Sequence, residues 1–178
     1  MTGKTIEILD ILEYYSQCNK YINLDMIKII KENNFFDKAI IGYFKNIGDI
    51  LFHILDVDLS WTNDLKQKIN SKIFENNLYK NFNENASIIN TYKSIIDFEI
   101  DRINFDNLLV ELIKGMDKEQ IEEEITVSNY QTKTVWEILI HTFNHQTHHR
   151  GQISQILDEN GINNDFSNMI RYDIKKFK

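Results

Sequence analysis

The sequence predicts an all-α fold: a four-helix bundle with a short strand or hairpin before the last long helix. Apolar residues recur at helical spacing through most of the 178 residues. Proline is absent and glycine occurs six times, whereas a turn-rich β fold uses both residues freely. Because no shift in composition marks a boundary, we expect one domain over residues 1–178.

The first half of the chain is predicted to hold two long helices. The first covers residues 5–21, and a shorter helical stretch over 24–31 ends at a polar break near Asn33. The second covers residues 38–67, and its stripe of core-facing positions includes Asp58 among apolar residues. A polar, asparagine-rich linker over residues 70–85 is expected to be partly ordered by its aromatic side chains.

The third helix is predicted from residue 86 into the region 106–116, with a break near residues 102–106. Over residues 121–131, apolar residues alternate with polar ones, which indicates a strand or hairpin rather than a helix.

The fourth long helix has the clearest boundaries. Thr134 and Glu137 form the capping-box pattern T-x-x-E at its start. Gly161 follows Asn160 and is placed to take the left-handed conformation that ends a helix. A short segment over residues 165–178 completes the chain.

Four of the five histidines lie in one run of this helix, HTFNHQTHHRGQ. At about 100° per residue, His149 falls inside the apolar arc and His145 at its edge, while His141 and His148 lie toward the polar side. A buried imidazole needs a partner for each ring nitrogen. Two inward histidines spaced i, i+4 can meet that need by sharing one metal ion.

His53 lies at the flank of the apolar arc of the second helix and is a candidate third ligand. Aspartate or glutamate ligands remain open, because 27 acidic residues give no basis for choosing one. Asp56, one turn from His53, or Asn144, beside His145, could orient a ligand ring, but a solvated surface role is expected for each.

Composition excludes several classes of function. The chain has 20 basic and 27 acidic residues, a net charge of −7 and no basic run, which argues against nucleic-acid binding. The single Cys18 excludes an intramolecular disulfide and a cysteine-based zinc site, and we expect it to be a small core residue. No apolar stretch is long enough for a membrane span and no signal-peptide pattern is present, so a cytoplasmic location is expected.

The motif NHQTHHRGQI (residues 144–153) resembles the DinB superfamily, whose signature is His, three residues, His, then Arg-Gly-Gln. In this chain those residues are His145, His149 and the run from Arg150 to Gln152. The segment FHILDVDLSW (residues 52–61) is similar to the family's second-helix pattern and supplies His53. The downstream Leu157, Gly161 and Asp165 also fit the family's closing pattern.

The resemblance implies a helical bundle, a divalent metal ion on His53, His145 and His149, and a homodimer. Its better-understood relatives are metal-dependent S-transferases or isomerases that use low-molecular-weight thiols. We therefore expect a thiol transferase acting on a small-molecule substrate, with no further catalytic residue identified. We expect Arg150 to serve the fold by pairing with an acidic residue on a neighbouring helix.

Two alternatives stay open at this point. A three-histidine site leaves a coordination position for water as well as for a thiol, so the chain could be a metal-dependent hydrolase. It could also be a non-catalytic metal-binding or small-molecule-binding protein. Imidazole ligands suit zinc or nickel, with manganese or iron as alternatives.

Overall fold

The computed structural model describes residues 6–82, 92, 94–127 and 131–174. In chain order, the helices and strands in these residues are α1 (Ile8–Glu32), α2 (Ile47–Asp64), α3 (Asn77–Asn81), α4 (Ile95–Gly115), α5 (Lys118–Glu122), β1 (Glu124–Val127), β2 (Gln131–Thr134) and α6 (Val135–Glu159). Single 3₁₀ turns occur at Leu65–Gln67, Lys72–Glu75 and Met169–Arg171. The predicted all-α fold with a hairpin before the last long helix is confirmed.

α1 is one helix, so the predicted gap after residue 21 is wrong. The polar residues that suggested a gap are turned into the core: Asn23 is 1% exposed and donates from its amide to Asp106. A polar side chain can therefore lie in the middle of a continuous helix when a buried group on another helix, here on α4, accepts its hydrogen bond.

α2 starts at Ile47 rather than at residue 38. The Asn46 side chain accepts a hydrogen bond from the backbone N–H of Asp49 at 2.8 Å and so caps the helix. Residues 39–46 instead form a loop that is closed by a bridge between Ala39 and Asn46. The helix packs closely at its start, since a Cβ on Gly48 would lie 3.0 Å from the Phe36 ring.

α4 begins after Ser94, whose hydroxyl accepts from the N–H of Asp97. The earlier start predicted at residue 86 lies outside the described residues. The predicted break near residues 102–106 is wrong, because Arg102 and Asp106, one turn apart, form an ion pair along a continuous helix.

α6 has the predicted boundaries. Thr134 and Glu137 form the capping box, in which the Thr134 N–H donates to the Glu137 carboxylate at 2.9 Å. Gly161 has a φ of +71°, the left-handed conformation expected after the helix. Just before α6, β1 and β2 pair antiparallel, with Ile125 opposite Lys133.

The long helices pack in two pairs, α1 with α4 and α2 with α6, and the pairs meet along α1–α6 and α2–α4. The core of this bundle contains a fully buried residue from each long helix: Leu12, Leu55, Phe105 and Leu139. Cys18 is also buried, as predicted. Among the described residues, no helix combines the length and apolarity needed to cross a bilayer. The packing of α2 against α6 brings the histidine-bearing helices together.

Candidate metal centre

Three of the predicted site residues meet between α2 and α6. His53 comes from the middle of α2, and His145 and His149 come from successive turns of α6. The Nε2 atoms of His53 and His145 are 3.2 Å apart, and those of His145 and His149 are 3.0 Å apart. Candidate ligand atoms of the three residues all lie within 4.8 Å of one another, an arrangement that could hold a metal ion.

The donor set fits a divalent ion. Imidazole nitrogens about 2.0–2.1 Å from a tetrahedral zinc ion lie about 3.3–3.4 Å apart. The separations of 3.0 and 3.2 Å are close to that value. The ring nitrogen Nδ1 of His145 is buried, and among the described residues it has no hydrogen-bond partner, so no hydrogen bond at Nδ1 opposes the orientation in which Nε2 faces the cluster.

Gln152 fixes the orientation of one ring. Its side-chain oxygen Oε1 lies 2.7 Å from Nδ1 of His149. An amide oxygen only accepts, so Nδ1 of His149 carries the proton and Nε2 presents a lone pair to the other histidines. Sequence reasoning had suggested Asp56 or Asn144 for this role; the i, i+3 spacing from His149 to Gln152 was the available signal.

The surroundings keep the imidazoles neutral. Burial lowers the pKa of His53 and of His149. Burial, together with the neighbouring His149 and His53, lowers the pKa of His145 to about 3. Nearby Asp56 opposes the shift at His53 without reversing it. The three rings are therefore in the neutral form that binds a metal.

His141 and His148 lie outside the three-histidine cluster, as the helical phase predicted. Both are exposed. The His141 ring contacts Trp61 with its centroid 4.7 Å away, and the His148 ring contacts His149 at 4.8 Å. On the side of α2, the Phe44 ring contacts both His53 and His149, at 5.3 and 5.8 Å.

A buried network of charged and amide side chains lies beside the histidines. Arg102 donates to Asp58 at 2.6 Å and also to Asp106, and all three are at most 3% exposed. Gln146 donates to Asp58 at 2.8 Å and Asn23 donates to Asp106 at 3.1 Å. Burial raises the pKa of Asp58 to about 6, although Arg102 acts in the opposite direction.

Arg150 joins this network through neutral groups. Within the described part of the chain it forms no ion pair with an acidic residue, so the predicted pairing is not found there. Its guanidinium donates to Asn19 at 2.7 Å, to Thr147 at 3.0 Å and to Gln146 at 3.3 Å. Gln146 thus accepts from Arg150 and donates to Asp58. The two carboxylates and two guanidinium groups of the network balance in charge. Burial lowers the pKa of Arg150 to about 10.

Sequence reasoning missed this network although two signals were present. Asp58 occupies a core-facing position between Leu55 and Leu59 of α2, where a lone charge requires a partner. Arg102 and Asp106 have the i, i+4 spacing of a helical ion pair, which favours continuity of the helix over a break.

Comparison with known proteins identifies the family of this chain. The model of the DinB family matches residues 1–173. The uncharacterized protein YizA of Bacillus subtilis (strain 168) is 29% identical over 119 residues. That match covers 64% of this chain and 64% of YizA, less than two thirds of either. The family match spans nearly the whole sequence and includes the three histidines. The chain belongs to the DinB family.

Proposed function

We propose that this chain is a metal-dependent transferase that joins a low-molecular-weight thiol to a small electrophilic substrate. The divalent ion would be held by His53, His145 and His149. The observation that carries the proposal is the convergence of these imidazoles. Nε2 of His145 lies 3.2 Å from Nε2 of His53 on α2 and 3.0 Å from Nε2 of His149 on the same helix α6.

The donor set supports an open, reactive site rather than a closed structural one. Three protein ligands leave a position for an exogenous group, whereas structural zinc sites use four. A divalent ion on neutral imidazoles keeps its full charge, and such an ion lowers the pKa of a thiol or water bound to it. All-nitrogen ligation favours zinc or nickel, with manganese or iron as alternatives.

The protein's own residues have defined tasks in this proposal. Gln152 holds the His149 ring through Nδ1, 2.7 Å from its oxygen. Phe44 covers His53 and His149 on one side and limits the access of water to them. The Asp58–Arg102–Asp106 network links α4 to α2 at Asp58, five residues after His53, and so fixes the two helices relative to each other.

A thiol-conjugation assay tests the proposal. Protein purified without a histidine tag would be stripped with a chelator, reloaded with each candidate metal, and mixed with a panel of small thiols and monobromobimane. In that reaction the sulfur forms a bond to carbon, the carbon–bromine bond breaks, bromide leaves and the thiol proton passes to solvent. We expect conjugation above the uncatalysed rate only in the metal-loaded protein.

The His145→Ala variant should lose this activity, while His141→Ala, an exposed histidine on the same helix, should keep it. Conjugation that survives metal removal would contradict the proposal. Metal-dependent hydrolysis of an ester in the absence of any thiol would instead favour the hydrolase, with water as the nucleophile. Metal binding without either activity, over the full panel, would favour the non-catalytic binding protein.

A further inference from the structure

A pocket of about 510 Å³ lies beside the three histidines, between the loop 39–46 and the C-terminal half of α6. Its volume is within the range of about 300–1,000 Å³ that is typical of small-molecule sites. Its walls are mainly apolar, formed by Ile40, Ile41, Tyr43, Phe44, Ile50 and Ile156.

The pocket is continuous with the surroundings of the metal ligands. Phe44 lines it and contacts the rings of His53 and His149. His148 and Gln152 also line it, and both contact His149. A molecule in this pocket therefore lies against the same side chains that border the histidine cluster.

The charge of the lining restricts what the pocket can accept. Of the described residues that line it, Glu159 is the one carboxylate, and none is lysine or arginine. A carboxylate or phosphate group would be desolvated there without a cation to pair with. The polar groups available are amides such as Gln155 and the imidazole of His148.

The loop exposes apolar side chains beside this opening. Ile41 and Tyr43 are 107% and 94% exposed, the two most exposed large apolar residues of the described chain. Large apolar side chains that are exposed next to a concave apolar surface are typical of ligand-binding sites. An apolar ligand between the loop and α6 would remove part of both surfaces from water.

We infer that this pocket binds an uncharged aromatic or branched aliphatic group of the electrophilic substrate, and that Ile41 and Phe44 on the loop determine this preference. The inference rests on the proposed function, because it assigns the pocket to the substrate of the metal site. The thiol would then reach the histidine cluster while the apolar group stays in the pocket.

Binding of an uncharged fluorophore tests the pocket itself. Prodan, a neutral naphthalene derivative, would be titrated into metal-free and metal-loaded protein. We expect saturable binding in both forms, weakened about fivefold or more by Ile41→Asp, which removes apolar contact and adds a negative charge. Ile100→Asp is the matched control, since Ile100 is an exposed isoleucine on α4 outside the pocket. Neither variant changes a buried residue, so both should fold.

A second titration separates the pocket from the metal chemistry. Cobalt-loaded protein would be titrated with mercaptoethanol, and the visible absorption would report sulfur at the metal; we expect Ile41→Asp to leave this titration unchanged. With mercaptoethanol as the thiol, conjugation would then be compared for benzyl bromide and for iodoacetamide, reactions in which a sulfur–carbon bond forms, bromide or iodide leaves and the thiol proton passes to solvent. We expect Ile41→Asp to slow conjugation of benzyl bromide about tenfold and to leave that of iodoacetamide, which has no apolar group, unchanged.

The outcomes are distinct. Equal effects of Ile41→Asp and Ile100→Asp on prodan binding would overturn the pocket inference, as would an equal effect of Ile41→Asp on conjugation of the two electrophiles. A cobalt spectrum unchanged by mercaptoethanol would overturn the proposed thiol chemistry, and with it the assignment of this pocket to a thiol acceptor. Faster conjugation of an anionic analogue of benzyl bromide, carrying a ring carboxylate, would overturn the charge preference.

Discussion

At the scale of single residues, the Gln152 amide determines which nitrogen of His149 faces the other two histidines. Gln152→Ala should weaken metal binding about 10–100-fold, because groups that orient a ligand ring typically contribute that much. Gln152→Glu should retain most of the affinity, since a carboxylate oxygen also accepts from Nδ1. The measurement is competition against a chromogenic chelator at neutral pH.

The control is Gln155→Ala. Gln155 lies one turn further along α6 and its amide bonds to Glu159 rather than to a histidine. If Gln152→Ala and Gln155→Ala bound metal equally well, the contact between Gln152 and His149 would have no part in the site.

The histidine pattern was readable from the sequence to different degrees. Helical phase separated His145 and His149 from His141 and His148. It could do so because all four lie on one continuous helix, which begins and ends where its caps predict. His53 needed the family resemblance, since helical phase alone put it only at the flank of its arc. Gln152 was missed because a hydrogen bond between side chains depends on rotamers that residue spacing permits but does not determine.

At the scale of helices, α4 shows how a buried ion pair can be mistaken for a boundary. Local polarity near residues 102–106 suggested a break, but Arg102 and Asp106 point inward and reach Asp58 on α2. The same error split α1 around Asn23, whose partner lies 83 residues away on α4. Sequence periodicity predicts amphipathic helices well and has no access to partners of buried polar residues on other helices.

Removing Arg102 should therefore destabilise the whole bundle. Arg102→Met leaves Asp58 and Asp106 buried without a cation, and breaking such a pair costs about 3–5 kcal/mol of unfolding free energy. The equivalent change in an exposed i, i+4 pair, Lys28→Met opposite Glu32 at 3.9 Å, should cost at most about 1 kcal/mol. Urea unfolding followed by circular dichroism measures both. Similar small losses in the two variants would show that the buried network contributes little.

At the scale of the whole molecule, acid should release the metal before it unfolds the helices. Burial lowers the pKa of all three histidines, that of His145 to about 3. An unfolded chain protonates its histidines near pH ~6.5. As the pH falls below ~6.5, the folded state therefore binds fewer protons than the unfolded chain. The contribution of these histidines to the free energy of unfolding is fully present above pH ~6.5 and declines as the pH falls below it.

The contribution of Asp58 to the pH dependence of stability has the opposite sign to that of the histidines. Its pKa is raised to about 6, so the folded state takes up its proton first, and a fall in pH from about 6 to about 4 relieves a cost present at neutral pH. Apolar packing and this partial offset should let the helices outlast the ion. Because the pKa values of the three histidines are lowered in the folded protein, that of His145 to about 3, we expect metal loss to begin below about pH 6 and to be complete only near pH 3, with helical circular dichroism retained. If metal content and helical circular dichroism were lost together in one pH series, the metal would be structural rather than catalytic.

Several expectations for the whole molecule stay predictions: a single domain over residues 1–178, a homodimer, a cytoplasmic location and no nucleic-acid partner. The fold class and family, by contrast, were correctly predicted. Composition and periodicity suffice for a helical bundle because each long helix buries one apolar face. Assembly depends on the surfaces that remain outside the bundle, and composition does not show how those surfaces pair.

The metal content of the purified protein tests the central claim most directly. Elemental analysis of protein made without a histidine tag should show about one divalent ion per chain. His145→Ala combined with His149→Ala should abolish occupancy, and His53→Ala should reduce it strongly. His141→Ala and His148→Ala should leave it unchanged, because those exposed residues lie outside the cluster. Full occupancy in the double variant, or loss of metal in His148→Ala while His149→Ala keeps it, would contradict the assignment.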